Sequence, residues 1–166
     1  MGGFRDETGG MGLKVAPMRP DQRPCVEPVL RACGPVFSEQ EIRVAVGMVE
    51  DALRGEYSVL AAADGAQLAG YCIAGPTPFT QSTWHLYWLC VHPRFQRQGV
   101  ASALESALER TVAACGGMRI VVETGGRADY DAARAFYQSA GYSICGRIED
   151  YYRPGDACFF LCKMLT

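Results

Sequence analysis

The chain has few of the residues that hold metals and nucleic acids. Histidine occurs twice, at His85 and His92, and lysine twice, at Lys14 and Lys163. No C-x-x-C pair occurs, so the eight cysteines lack the spacing of a structural zinc site. There is no dense basic run, and the net charge is −2, which leaves no field to draw nucleic acid or an anionic membrane surface. No apolar run approaches the ~18 residues of a membrane span. The start of the chain has no apolar core followed by a cleavage site, so no signal peptide is expected. A Walker loop, G-x-x-x-x-G-K-[ST], is missing, and so is the G-x-G-x-x-G dinucleotide fingerprint. No internal repeat is present.

What remains is a chain of 166 residues with 49% apolar side chains, enough for one domain with a proper core. Residues 1–12 are Gly-rich and polar and are expected to be disordered, leaving 13–166 as a single domain. The cysteines are scattered, and several fall within apolar runs, which reads as reduced, mostly buried thiols in a cytoplasmic protein.

Residues 13–18 (LKVAPM) read as a first strand. Residues 21–33 are helix-like, with Pro28 expected to kink or split the segment. Ser38 with Glu41 forms a capping box, followed by Ile42, Val46, Val49 and Leu53 at helical spacing, and Gly55 as the stop. Two short strands, 57–63 and 67–74, meet at Asp64-Gly65. Residues 83–91 are apolar almost throughout, which predicts a central strand buried on both faces. Val100, Leu104, Leu108 and Val112 make the stripe of a helix. RIVVE (119–123) is another buried strand. Asp131 is placed to cap a helix with Ala132, Ala133, Phe136 and Ala140 on its inner face. Residues 142–152 and 157–165 close the chain as two strands. This order predicts an α/β fold, a mixed sheet with helices on both faces.

The most informative stretch joins the central strand to the helix that follows it, through Gln96-Arg97-Gln98-Gly99-Val100-Ala101-Ser102. A tight loop at a helix N-terminus gathers backbone N–H groups at the positive end of the helix dipole, and such a place binds phosphate. Gly99 lets the backbone approach a ligand, Ala101 is small enough not to block it, and Arg97 can add a charged contact. Taken alone, this pattern also suits an ordinary strand-to-helix turn.

The segment V-x-P-x-x-Q-x-x-G-x-A (Val91, Pro93, Gln96, Gly99, Ala101) closely resembles the acetyl-CoA loop of the GNAT N-acetyltransferases. Some forty residues later, 133–142 resembles that family's A-x-x-F-Y-x-x-x-G-F/Y helix. The resemblance spans nearly the whole chain. It implies a GNAT-like, mostly antiparallel sheet of about seven strands, splayed between its two middle strands, with acetyl-CoA as cofactor. It also implies that Leu89, Cys90 and Val91 pair with the pantetheine arm while Gln96 to Ser102 cradle the phosphates. Where many members carry an asparagine against the cofactor, this chain has Tyr130. Ala133 and Phe136 fall on the same cofactor-facing helix.

By the same resemblance, Tyr137 is the candidate general acid for the departing thiolate. Glu123, at a strand end where ribosomal-protein acetyltransferases of the family also have a glutamate, is the candidate base. His85 is a second candidate on the substrate side, since imidazole titrates in the useful range. Cys90 has no histidine persuasively placed to activate it, so covalent catalysis is a minor option. Phe37, Phe79, Tyr151 and Tyr152 are expected to wall the acceptor cleft, with Asp150 or Asp156 attracting an ammonium group. The implied activity is acetyl transfer to a primary amine through a tetrahedral intermediate, with the amide of Cys90 or Val91 as oxyanion donor. The acceptor is expected to be a small-molecule amine. A peptide N-terminus, or a non-catalytic acyl-CoA sensor, stands as the alternative. A homodimer is left open.

Overall fold

The computed structural model describes residues 12–165. Residues 1–11, which carry most of the segment expected to be disordered, lie outside it. Seven strands form one sheet in the order β1-β2-β3-β4-β5-β7-β6: β1 Leu13–Pro17, β2 Ser58–Asp64, β3 Gln67–Pro76, β4 Thr83–Val91, β5 Arg119–Gly125, β6 Ser143–Arg153 and β7 Asp156–Met164. Only β4 and β5 run parallel; every other neighbouring pair is antiparallel. The parallel pair is joined by α3 Val100–Ala114, and β5 leads through α4 Asp131–Ser139 to β6. The first helices, α1 Val26–Ala32 and α2 Glu39–Leu53, lie between β1 and β2 in sequence.

The sheet separates two cores. One contains the inner faces of α3 and α4, with Val100, Leu104, Leu108, Val112 and Tyr137 against Leu86, Ile120 and Leu161. The other holds α1 and α2, with Val26, Leu30, Ile42 and Val49 against Val59, Tyr71 and Ile73. The capping box forms: Ser38 Oγ accepts from the Glu41 amide at 3.2 Å, and Glu41 Oε2 accepts from the Ser38 amide at 2.7 Å. In α2 the buried stripe is Ile42, Ala45, Val49 and Ala52, so Val46 and Leu53 sit at its margin.

Several expectations are corrected. Pro28 does not split the first helical segment. The break falls earlier, where a 3-10 turn, Pro20–Cys25, gives way to α1. Pro28 is the third residue of α1, where no amide has an intrahelical acceptor to lose. Asp131 does not cap α4; it is the first helical residue, it pairs with Arg134, and Tyr130 takes the cap position. Ala132 is exposed, and Tyr137 is the buried residue of that helix. Of the eight cysteines, all free, only Cys72, Cys90 and Cys158 are buried, while Cys115 and Cys145 are exposed.

The central strand is corrected most. It is central, but it is not buried on both faces: only Trp84, Leu86 and Cys90 are buried. Ile73 pairs with Trp88 and Ala74 with Leu86, so Tyr87 is an extra residue with no partner on β3. Such a bulge turns the strand's side chains over. Before it, Trp84 and Leu86 join the core under α3. After it, Leu89 and Val91 face that core, while Trp88 and Cys90 face α1 and α2. Among the described residues no helix is long and apolar enough to cross a membrane.

Candidate active site

The parallel pairing of β4 with β5 runs from Thr83 with Arg119 to Leu86 with Val122 and then stops. Beyond that rung β5 pairs only with β7, and β4 continues from Tyr87 to Val91 beside β3 alone. The two middle strands therefore part, and backbone groups along 87–91 face the gap without a strand partner. A cavity of about 1240 Å³ opens at this divergence. Its wall includes residues 85–89 of β4, 122–125 of β5, Tyr137 of α4, and the segment leading into α2.

The strand β4 ends in a short 3-10 turn, Pro93–Phe95, fixed by the Arg94 amide donating to His92 Nδ1 at 3.1 Å. His92 is thus a local turn residue. Gln96 Nε2 donates to the Val91 carbonyl at 3.1 Å, and Gln98 Nε2 to the Arg94 carbonyl at 2.8 Å. Both amide side chains brace the loop, which leaves its exposed backbone for a ligand. Arg97 and Gly99 have φ of 62° and 81°. A left-handed arginine costs on the order of 1 kcal/mol or more, a strain typical of ligand clamps. Gly99 caps α3, and no side chain caps the helix. The first amides of α3, at Val100, Ala101 and Ser102, therefore have no intrahelical or capping partner. A Cβ at Gly99 would meet nothing within 4 Å, so the cradle is open. These features fit the pyrophosphate of acetyl-CoA. Val100 itself is buried in the core, which limits it to a backbone contact.

Glu123 and His85 come together on the cavity wall, with His85 Nε2 3.9 Å from Glu123 Oε1. Burial pushes the imidazole below its usual range, and the Glu123 charge pulls it part of the way back. At neutral pH His85 is therefore an uncharged imidazole. Tyr87 stacks on it with ring centroids 4.6 Å apart. Among the described residues no arginine holds Glu123: Arg127 pairs with Asp129 and Asp156, and Arg147 with Glu149. The strand runs two residues past Glu123, to Gly125.

Tyr137 also lines the cavity and is 6% exposed. Burial, then the nearby Glu105 carboxylate, raises its pKa well above the usual tyrosine range, so the phenol keeps its proton. Its ring meets Phe136 and Tyr142 edge-on, with centroids 5.3 and 5.4 Å away. Tyr142 Oη donates to Glu105 Oε1 at 2.6 Å.

Phe37 and Tyr152 line the cavity, and so do Tyr130 and Ala133. Phe37 packs on Trp88, centroids 5.5 Å apart. Tyr151 is outside the lining and packs against Tyr152 and Phe160. Phe79 is fully exposed and outside the lining as well. Asp150 and Asp156 are both engaged: Asp150 accepts from the Gly155 amide at 2.7 Å, and buried Asp156 lies 3.4 Å from Arg127 and 3.5 Å from Arg153. Among the lining residues that carried no signal in the sequence are Tyr87 and Trp88. The Trp88 indole N–H is buried without an acceptor. Only the pairing register that creates the bulge could have singled them out.

A helix N-terminus with unpartnered amides, beside two parallel strands that diverge, suits an acyl-CoA-dependent transferase. The Acetyltransferase (GNAT) family matches residues 22–142, and the chain belongs to that family. It is an acyltransferase, and its cofactor is acetyl-CoA. Among solved structures, a GNAT-family protein from Desulfovibrio desulfuricans superimposes with a TM-score of 0.88 at 29% identity, covering 93% of this chain and 100% of that one. An aminoglycoside 6′-N-acetyltransferase complexed with coenzyme A gives 0.77 at 19%, covering 92% and 97%. The ribosomal-protein-S18-alanine N-acetyltransferase from Escherichia coli gives 0.74 at 18%, covering 93% and 94%. At these identities the last two share the fold. A search of curated proteins found no match.

Proposed function

We propose that this acetyltransferase acetylates the primary amine of a small molecule by direct attack of the amine on the thioester. When bound, acetyl-CoA supplies an activated acetyl group and a thiolate leaving group. The amides of Arg97 to Ser102 hold its phosphates, with Arg97 adding charge, while the Gln96 amide is taken by the Pro93 carbonyl. The backbone of Leu89, Cys90 and Val91, on the length of β4 that β5 leaves unpaired, holds its arm, and an amide of Cys90 or Val91 donates to the developing oxyanion. Tyr130, Ala133 and Phe136 flank it.

A lysine-like amine has a pKa of about 10.4 and must lose a proton before it attacks. Glu123 takes that proton, directly or through water, with neutral His85 beside it. Tyr137 gives a proton to the departing sulfur. A phenol held above its normal pKa keeps its proton until strong negative charge develops next to it, so the transfer accompanies cleavage of the carbon–sulfur bond. The carrying observation is that Glu123, His85 and Tyr137 line one cavity at the divergence of β4 and β5.

Tyr152 and Phe37 clasp the acceptor. The peptide N-terminus is the weaker reading, because only one of the two hairpin tyrosines lines the cavity. Thiol release from acetyl-CoA, measured against a panel of small amines and short peptides, tests the choice. Turnover on small amines supports this reading. Turnover confined to peptides replaces it with the N-terminal one, and coenzyme A binding without turnover on any amine refutes both.

A further inference from the structure

Cys33 and Cys90 are 57 residues apart in sequence, yet their sulfurs lie 3.4 Å apart. Cys33 ends α1, and the chain turns immediately after it at Gly34, with φ of 71°, towards Phe37 on the cavity wall. Cys90 is buried in β4, one residue from Leu89 and from Val91 on the unpaired length of that strand. The two sulfurs are too far apart for a bond, and near enough for a small side-chain movement to make one. The Cys33 sulfur also approaches the Val91 carbonyl at 3.7 Å, so it already touches the cofactor strand.

A third group completes the cluster. Tyr71 occupies the β3 register position opposite Cys90, is fully buried, and its hydroxyl has no hydrogen-bond partner among the described residues. An orphaned buried phenol costs stability unless an acceptor forms beside it. Its titration responds, after burial, to charge on Cys90 and then on Cys33, so both sulfurs lie within its field. A thiolate at Cys33 therefore has the Cys90 S–H as a donor, with the sulfurs 3.4 Å apart. Cys33 is partly exposed, and its pKa is lowered by the hydrogen bond with Cys90, which is raised in turn. By contrast, burial pushes the Cys72 thiol up to about 12.

We infer that Cys33 and Cys90 form a redox-active dithiol, which hydrogen peroxide converts into a disulfide tying the end of α1 to the cofactor strand. The Cys33 thiolate sulfur attacks one peroxide oxygen, the O–O bond breaks, and the hydroxide released takes a proton to become water, leaving a sulfenic acid. The Cys90 sulfur then attacks the Cys33 sulfur, the S–O bond breaks, and a second water leaves with the Cys90 proton. The sulfur pair loses two electrons and the peroxide is reduced to two waters. A thiol reductant reverses the change. The bond draws the α1 end onto β4 beside the backbone that holds the cofactor arm, and so weakens coenzyme A binding.

The test is hydrogen peroxide treatment of the purified protein, blocking of free thiols, digestion without reductant and mass spectrometry, with coenzyme A affinity measured in parallel. Wild type is expected to yield a cross-linked pair of peptides containing 33 and 90, lighter than the reduced pair by two hydrogens and abolished by dithiothreitol. Its Kd for coenzyme A rises several-fold on oxidation and recovers on reduction. Cys33→Ser is expected to bind coenzyme A normally and to keep that affinity after peroxide. A sulfinic acid at position 33 with Cys90 still alkylatable overturns the inference. So does a cross-link between other cysteines, an unchanged affinity in cross-linked protein, or a Cys33→Ser variant as sensitive as wild type. None of these readouts needs turnover, so they stand apart from the identity of the amine.

Discussion

His85 Nε2 and Glu123 Oε1 face each other at 3.9 Å where β4 and β5 part, and the carboxylate acts on the charge of the imidazole. Burial holds His85 below its ordinary range and Glu123 opposes that shift. Removing the carboxylate by Glu123→Gln is therefore expected to lower the imidazole titration further, readable by NMR. A midpoint that rises in the variant contradicts the arrangement. The same variant should lower kcat by roughly 10²- to 10⁴-fold, the range for a positioned base.

Tyr137→Phe removes the proton held for the leaving sulfur and keeps the ring that packs on Phe136 and Tyr142. The expected result is a kcat lower by roughly 10- to 1000-fold with little change in coenzyme A affinity. Steady-state kinetics check it. An unchanged kcat removes Tyr137 from the reaction.

Gly99→Val puts a β-branched residue at φ of 81°. No neighbour obstructs the new side chain, so the penalty is backbone strain of about 1–2 kcal/mol, relieved by remodelling of the loop. Coenzyme A affinity should fall, as measured by calorimetry, while the far-ultraviolet spectrum of the fold persists. Full affinity in a folded variant would mean that the phosphates bind elsewhere.

Glu105 is 2% exposed, and burial raises its pKa above that of a free carboxyl. A raised folded-state pKa means that its contribution to stability is complete below about pH 4.5 and is lost as pH rises through the folded value. Each unit of elevation corresponds to about 1.4 kcal/mol. Glu105→Gln keeps an acceptor for Tyr142 and cannot ionise. Its Tm relative to wild type should therefore climb as pH goes from 4.5 to 8. A constant difference would show that Glu105 does not titrate on folding.

Ser38→Ala deletes the side-chain half of the capping box and is expected to cost about 1 kcal/mol in denaturant unfolding. An effect near zero would mean that Glu41 alone holds the start of α2.

The parts of this molecule that were legible in the sequence are those fixed by a few neighbouring residues. The capping box at Ser38, the turn at Gly65 and the left-handed glycine at the head of α3 each follow from local backbone chemistry. The seven strands and the stripe of α3 follow from periodicity. What was not legible depends on distant partners. The bulge at Tyr87 exists because β3 supplies one residue fewer than β4 over that stretch, and no glycine marks it. It hid the exposed face of β4, along with Tyr87 and Trp88. Asp156 reads as a free turn carboxylate until Arg127, far away in sequence, closes over it. Phe79 is an aromatic in a loop, and no periodicity says which way such a residue points.

The surplus residue in β4 makes the length of that strand as strict a requirement as its composition. A residue inserted in β3 opposite Tyr87 would restore plain alternation and exchange the inward and outward sets downstream on β4. Trp88 and Cys90 would be driven into the layer beneath α3, and Leu89 and Val91 would swing to the far side. The thiol partnership with the first helix would dissolve, and so would the aromatic wall against Phe37, although no chemically reactive group had been altered.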